Sequence, residues 1–246
     1  MSQKWPSPPG FGPVRPLDRV QHKGLGLSSG AYGFARELPA IRITIGEFFS
    51  ASRDYPIVFA RNGEDQPLLT MIILGLESHE NIFVDAQGGW RAPHYVPSFV
   101  RSYPFCLVRL RSEQESSQGT SQRIVCVDEA GLTASERPFI DTRGNDTPSW
   151  QYINRLLMEM DDMSRRTHQF IGELEQRELL TPMKVRGSTS MQMFRIDENR
   201  LNELEPELLQ SWLKGGMLRL IHAHLLSLDN FNRMGQLKKK WGEEQA

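Results

Sequence analysis

The stretch Tyr55-Pro56-Ile57-Val58-Phe59-Ala60-Arg61-Asn62-Gly63-Glu64-Asp65-Gln66-Pro67-Leu68-Leu69-Thr70-Met71-Ile72-Ile73-Leu74 decides the fold class. Two runs rich in β-branched and aromatic residues flank a polar segment containing Asn-Gly, the pattern of a hairpin with an extended loop. Pro56 closes any helix ahead of it, because the residue before a proline is pushed out of the helical region. That leaves Gly46-Glu47-Phe48-Phe49-Ser50-Ala51 as a short helix. Before it, Ile41, Ile43 and Ile45 alternate with Arg42 and Thr44, the period of a half-buried strand. Downstream, Ile82-Phe83-Val84 reads as another strand, turned back through Asp85-Ala86-Gln87-Gly88-Gly89 toward Trp90. Residues 105–111 and 122–128 are two more strands, separated by the polar residues 112–121. Pairing them about the middle of that loop sets Cys106 opposite Cys126.

The second half carries a different period. Thr147-Pro148 supplies a capping hydroxyl and a proline at the first helical position. Trp150, Ile153, Leu157, Met160, Ser164, Thr167, Ile171 and Leu174 then keep a 3-4 spacing along one face, until Leu180-Thr181-Pro182 stops the helix. The seam suits a long helix laid on the sheet. Its alternative is a homodimer through the long helix, which Ser164 and Thr167 in mid-seam weaken. Residues 191–196 form a last strand, Asp197 a helix cap, and Pro206 a new helix start. Gly215-Gly216 is a break before Leu218, Ile221, Leu225 and Leu228. The fold class is α+β: a mostly antiparallel N-terminal sheet with short helices, packed with a helical C-terminal half. Residues 1–13, rich in Pro and Gly, are expected to be mobile. Residues 14–237 form a single domain, and 238–246 a basic and polar tail that starts with Lys238-Lys239-Lys240.

Composition narrows the function classes. Of 246 residues, 39% are hydrophobic and 24% charged, and the formal net charge is −1. A near-neutral chain has little general attraction for phosphate backbones, so no nucleic-acid partner is expected. The first ten residues contain no apolar signal-peptide core. Residues 68–76, the longest nearly apolar run, fall well short of the roughly 20 residues of a membrane-spanning helix. Two cysteines make neither a disulfide scaffold nor a metal spacing, so cytoplasmic residence with reduced thiols follows.

No catalytic or cofactor motif passes its structural requirements, and neither cofactor nor metal is expected. Gly26-Leu27-Ser28-Ser29-Gly30 matches the serine-hydrolase pattern, but no apolar strand precedes it to build the strained elbow. Gly24 and Gly26 start a dinucleotide fingerprint whose third glycine is replaced by Ser29. His222 and His224 sit in a helical context, where positions two apart diverge. What remains is residues 81–105, which combine aromatics, prolines and arginine. Trp90, Tyr95, Arg101 and Tyr103 carry polar handles and are the candidate ligand- or partner-binding residues. Phe83, Phe99 and Phe105 read as core.

The same block carries a resemblance. Tyr55-Pro56-Ile57-Val58-Phe59, Leu74-Gly75-Leu76, Asn81-Ile82-Phe83-Val84-Asp85 and residues 95–105 resemble successive blocks of the SapC family. So do Pro16-Leu17-Asp18-Arg19, Gly33-Phe34-Ala35 and Ala223-His224-Leu225-Leu226-Ser227-Leu228. Ser102 stands where the family often has a second arginine, and Ser98 where it often has alanine. The family is named for surface-layer (S-layer) protein secretion in bacteria. The resemblance implies a non-catalytic cytoplasmic accessory to envelope transport, secretion or nutrient uptake that binds a protein partner or small ligand. It supplies no catalytic residues. The alternative is an enzyme acting on a small metabolite, a carbohydrate or peptide, with a site assembled from residues distant in sequence.

Overall fold

A computed structural model of the chain describes residues 5–110, 122–184 and 191–243. The expected loop 112–121 lies outside them. In chain order the elements are β1 (Val14–Pro16), β2 (Leu25–Leu27), β3 (Ala40–Arg42), α1 (Phe48–Ala51), β4 (Ile57–Arg61) and β5 (Leu69–Ile73). They continue with α2 (Ser98–Ser102), β6 (Phe105–Leu110), β7 (Gln122–Asp128), β8 (Leu132–Ala134), α3 (Pro148–Gln176) and β9 (Leu180–Met183). Last come β10 (Gln192–Ile196), α4 (Glu198–Asn202), α5 (Pro206–Gly215), α6 (Met217–Ser227) and α7 (Asn230–Glu243). The sheets are antiparallel and the fold is α+β.

The chain forms two compact units. One comprises the chain up to Ala35, Val84–Gly89 and Val100–Asp161; the other comprises Arg36–Phe83, Trp90–Phe99 and the chain from Asp162 onward. The first unit holds a three-stranded sheet of order β1-β7-β6 and the ribbon β2-β8. Its β6–β7 register pairs Cys106 with Cys126, as the loop midpoint predicts. Both faces of this sheet are covered. Phe105 and Val127 pack with Phe139 and with Trp150, Ile153 and Leu157 of α3. On the opposite face Cys106, Val108 and Cys126 pack with Val14, Trp5 and Phe11. Trp5 and Phe11, in the described part of the segment before Val14, pack on this face. Leaving that face bare would expose apolar sheet, and Phe11 covers it, edge-on to Phe34 at 5.1 Å and to Tyr103 at 4.9 Å.

The second unit holds a five-stranded sheet of order β3-β5-β4-β10-β9. The opening hairpin is β4–β5, with Ile57 opposite Ile72 and Phe59 opposite Thr70. β4 is central, which explains an apolar run in place of alternation: Ile57, Val58, Phe59 and Ala60 are all buried. The second half of α3 belongs here. Thr167 accepts the Ile45 amide at 3.1 Å, and the Phe170 ring stands edge-on to Phe48 at 5.8 Å. Six of the eight seam positions, Trp150, Ile153, Leu157, Thr167, Ile171 and Leu174, are buried against the chain's own residues.

Three expectations are corrected. Ile82 and Phe83 lie in a turn, and the expected strand shrinks to a bridge at Val84, with Trp90 on the return; the Arg91 N–H donates to the Phe83 carbonyl oxygen at 2.8 Å. α3 ends at Gln176, and Leu180-Thr181-Pro182 belongs to edge strand β9, where a missing proline N–H is tolerated. Lys238-Lys239-Lys240 lies within α7, and Lys238 pairs with Glu77 at 2.6 Å and Glu80 at 2.7 Å.

Candidate ligand-binding site

The four candidate residues fall into two settings. In the second unit, Tyr55 is fully buried and organises Trp90 and Tyr95. The Trp90 indole N–H donates to the Tyr55 hydroxyl at 3.0 Å, and that hydroxyl donates to the Tyr95 carbonyl oxygen. The Tyr95 hydroxyl in turn donates to Glu47 at 3.2 Å. Glu47, itself buried, also accepts the Ser98 amide at 2.7 Å and the Thr44 amide at 3.2 Å. A buried carboxylate satisfied by this many donors is a cap, not an acid or base awaiting substrate. Burial pushes the Tyr55 phenol well above its ordinary range. The Tyr95 amide donates to Asp54 at 2.8 Å, and Asp54 also contacts His94 at 3.3 Å. Trp90 and Tyr95 thus hold the 90–97 loop in place.

In the first unit, Arg101 and Tyr103 stand at a shallow hollow of about 390 Å³ lined also by Leu27, Phe139, Pro148 and Tyr152. Tyr103 is its floor: the ring is buried and stacks on Phe34 at 4.2 Å. Its hydroxyl donates to Asp128 at 3.3 Å. Burial, and secondarily the Asp128 charge, push that phenol up to about 12. Asp128 is also buried and accepts the Gly12 amide at 2.8 Å and the Ala130 amide at 3.1 Å. Arg101 is half-buried and is the single charged residue among those lining the hollow. Its Nη1 donates to the Tyr152 hydroxyl at 2.6 Å. Tyr152 is 46% exposed at the rim, and Leu27 39% exposed beside it. Tyr152 was not legible as a site residue. It falls on the outward face of an amphipathic helix, and only the fold brings it to Arg101.

A second hollow of about 350 Å³ shares Leu27 and is walled by Ser29, Tyr32 and Gln87. Here two backbones touch. Gly30 (φ 66°) and Gly88 (φ 79°) are left-handed, and a Cβ on either would come within 3.0 Å of the other loop's carbonyl oxygen. Burial raises the Tyr32 phenol, with Tyr152 adding to the rise and Arg101 opposing it. The serine-hydrolase reading has no support in this loop, since the Ser28 hydroxyl is spent on the Gly131 carbonyl at 2.9 Å.

The histidines do not converge. Of the α6 pair, His222 is exposed and His224 fully buried. The His224 Nε2 accepts the Ile196 amide at 3.1 Å, while its Nδ1 has no partner among the described residues. Burial pushes this imidazole down to about 4. Among the described residues no group of three His, Cys, Asp or Glu side chains is arranged to hold a metal. No helix there is long and apolar enough to cross a membrane.

Comparison with known families gives one match. The SapC family model covers residues 17–234. None of the curated proteins and none of the solved structures matches the chain.

Proposed function

The chain belongs to the SapC family, and on that premise we propose an accessory binding protein of cell-envelope transport, secretion or nutrient uptake. It works in the cytoplasm and engages a partner protein or small ligand at the Arg101 hollow. The observation that carries the reading is the lining itself: the Arg101 guanidinium, the exposed Tyr152 phenol and Ser149 set among Leu27, Phe139, Pro148 and Ile153. Apolar walls with a few fixed polar groups are the general form of a recognition site. The link to envelope transport comes from the family resemblance. In this reading Tyr103 supports the hollow from below, while Trp90 and Tyr95 shape a neighbouring stretch of chain through Tyr55 and Glu47.

The test compares variants of the whole chain in capture from a lysate of the source cells. Arg101→Glu and Tyr152→Ala should each abolish capture of a partner that the unmodified chain retains, with melting temperatures within a few degrees of it. Trp90→Ala should instead lower the melting temperature, because it strips a donor from the buried Tyr55 hydroxyl. Undiminished capture by both hollow variants would sink the assignment.

A further inference from the structure

We propose that Cys106 and Cys126 form a reversible redox site, which a small disulfide of the glutathione class closes to a cross-strand bond when the segment carrying Trp5 and Phe11 opens. The placement comes from the ladder. In the β6–β7 register Cys106 lies directly opposite Cys126, so the two side chains leave the sheet on one face. The Asp128 N–H donates to the Pro104 carbonyl oxygen at 2.9 Å, which makes those two opposed residues a hydrogen-bonded pair. Bonded and non-bonded pairs alternate, so the cysteines, two positions along, are a bonded pair as well. Cα atoms in such a pair stand about 5.5 Å apart, inside the range a disulfide spans. The chain has two cysteines in all, and the sheet sets them against each other.

The fit is close but not relaxed. Directly opposed Cβ atoms lie about 4.5–5.5 Å apart, whereas a disulfide prefers about 3.5–4.5 Å. Closure therefore draws the strands together and strains the bond, and strained disulfides are the readily reduced ones. That suits a bond made and broken in turn, not a permanent staple. Packing alone gives no reason for sulfur at both positions, since Val14 and Val108 fill the same face as hydrocarbon. A metal reading lacks a third ligand. Asp128, two residues beyond Cys126, has oxygens that accept from Gly12, Ala130 and Tyr103, and among the described residues no metal-holding group forms.

Access is the gate. Cys126 is 0% and Cys106 8% exposed, with Val14, Trp5 and Phe11 packed on them. Burial lifts both thiols, so the covered pair carries almost no thiolate, the form that attacks a disulfide. The cover is held by β1, a three-residue edge strand, and by residues 5–13, which lie outside any strand or helix. Such a segment opens locally at a lower free energy than the core. In the opened state one cysteine thiolate attacks a sulfur of the small disulfide, whose S–S bond breaks and releases one glutathione thiolate. The second cysteine thiolate then attacks the protein sulfur of this mixed disulfide; the Cys106–Cys126 bond forms and the second glutathione leaves. The protein gives up two electrons, and the two cysteine protons end on the two glutathiones.

The test incubates the full reduced chain with excess oxidised glutathione at neutral pH, quenches samples by alkylation in urea and follows the intact mass. The unmodified chain should convert slowly to a monomer lighter by two hydrogens and free of alkyl groups, with peptide mapping joining Cys106 to Cys126. Dithiothreitol should restore two alkylatable thiols. Phe11→Ala should convert several-fold faster, and Cys126→Ser should stop at a single glutathione adduct. Should Phe11→Ala fail to fold, the gate is read on the unmodified chain, whose oxidation should quicken in urea too dilute to unfold it. Two free thiols retained throughout, even in dilute urea, overturn the proposal. So does a stable adduct with two glutathiones, a bond between two chains, or an oxidised form that dithiothreitol does not reduce. A rate moved neither by Phe11→Ala nor by dilute urea removes the cover as gate and overturns it too.

Discussion

At the scale of single residues, the chain places several polar groups where burial controls their chemistry. His224 shows the sign most clearly. Its imidazole falls from an ordinary 6.5 to about 4 through burial, so between those values the unfolded chain binds the proton that the folded chain refuses. Its contribution to stability is complete above pH 6.5 and is lost progressively as the pH falls toward 4, by about 3 kcal/mol in all. Urea titrations at pH 7.5 and pH 4.5 measure this loss, and His224→Gln gives the control. The amide oxygen of glutamine can still accept the Ile196 N–H but has no proton to gain. The pH dependence of the variant should be shallower by most of that amount. An unchanged slope would mean that the ring already carries its proton in the folded protein.

At the scale of elements, β6 and β7 make a second statement about burial. Cys106 and Cys126 are cross-strand partners in the covered sheet. Burial, with smaller contributions from Cys126 and Asp128, lifts the Cys106 thiol to about 12; burial alone lifts Cys126 to about 11. Since the thiolate is the reactive form, neither should be alkylated by iodoacetamide at neutral pH over the hours in which an open thiol reacts fully. Both should be labelled together once the protein is unfolded in urea, and mass spectrometry of the intact chain counts the adducts. A singly labelled native protein would contradict the packing of this face. The register itself was legible, because two apolar runs about one polar loop leave little choice of alignment. The hairpin of β4 and β5 and the seam of α3 were legible for the same reason: each is written in local periodicity. β9 was not, since Thr181-Pro182 looks like a stop signal until strand β10 is beside it. The cover provided by Phe11 was also hidden. Prolines and glycines around it suggest looseness, and only the bare face of β6 and β7 shows what the phenyl ring is for. Among the site residues, Arg101 could be suspected from its aromatic neighbourhood in sequence. Its pairing with Tyr152 spans some fifty residues and leaves no local trace.

At the scale of the whole molecule, each unit is assembled from three separated stretches. No single cut releases either unit intact. A fragment ending at Asp161 retains the β1-β7-β6 sheet but deprives β4 of β10, leaving a long apolar edge unpaired. Expressed alone, residues 1–161 should be found mainly in inclusion bodies. The same fragment co-expressed with residues 162–246 should recover solubility if the missing strand and helices can dock. A soluble monomeric fragment 1–161 with a cooperative melt would show that β4 is not dependent on its later partner.

The pairing of β4 with β10 also sets a schedule for synthesis. Arg61 leaves the ribosome long before Gln192, its opposite number in the ladder. At about 5–20 residues per second, that interval is on the order of ten seconds. Throughout it, the most apolar strand of the chain waits with one edge open. Until Gln192 emerges, the edge of β4 that β10 will cover has no partner from its own sheet, and an unpaired apolar edge is open to pairing with another chain.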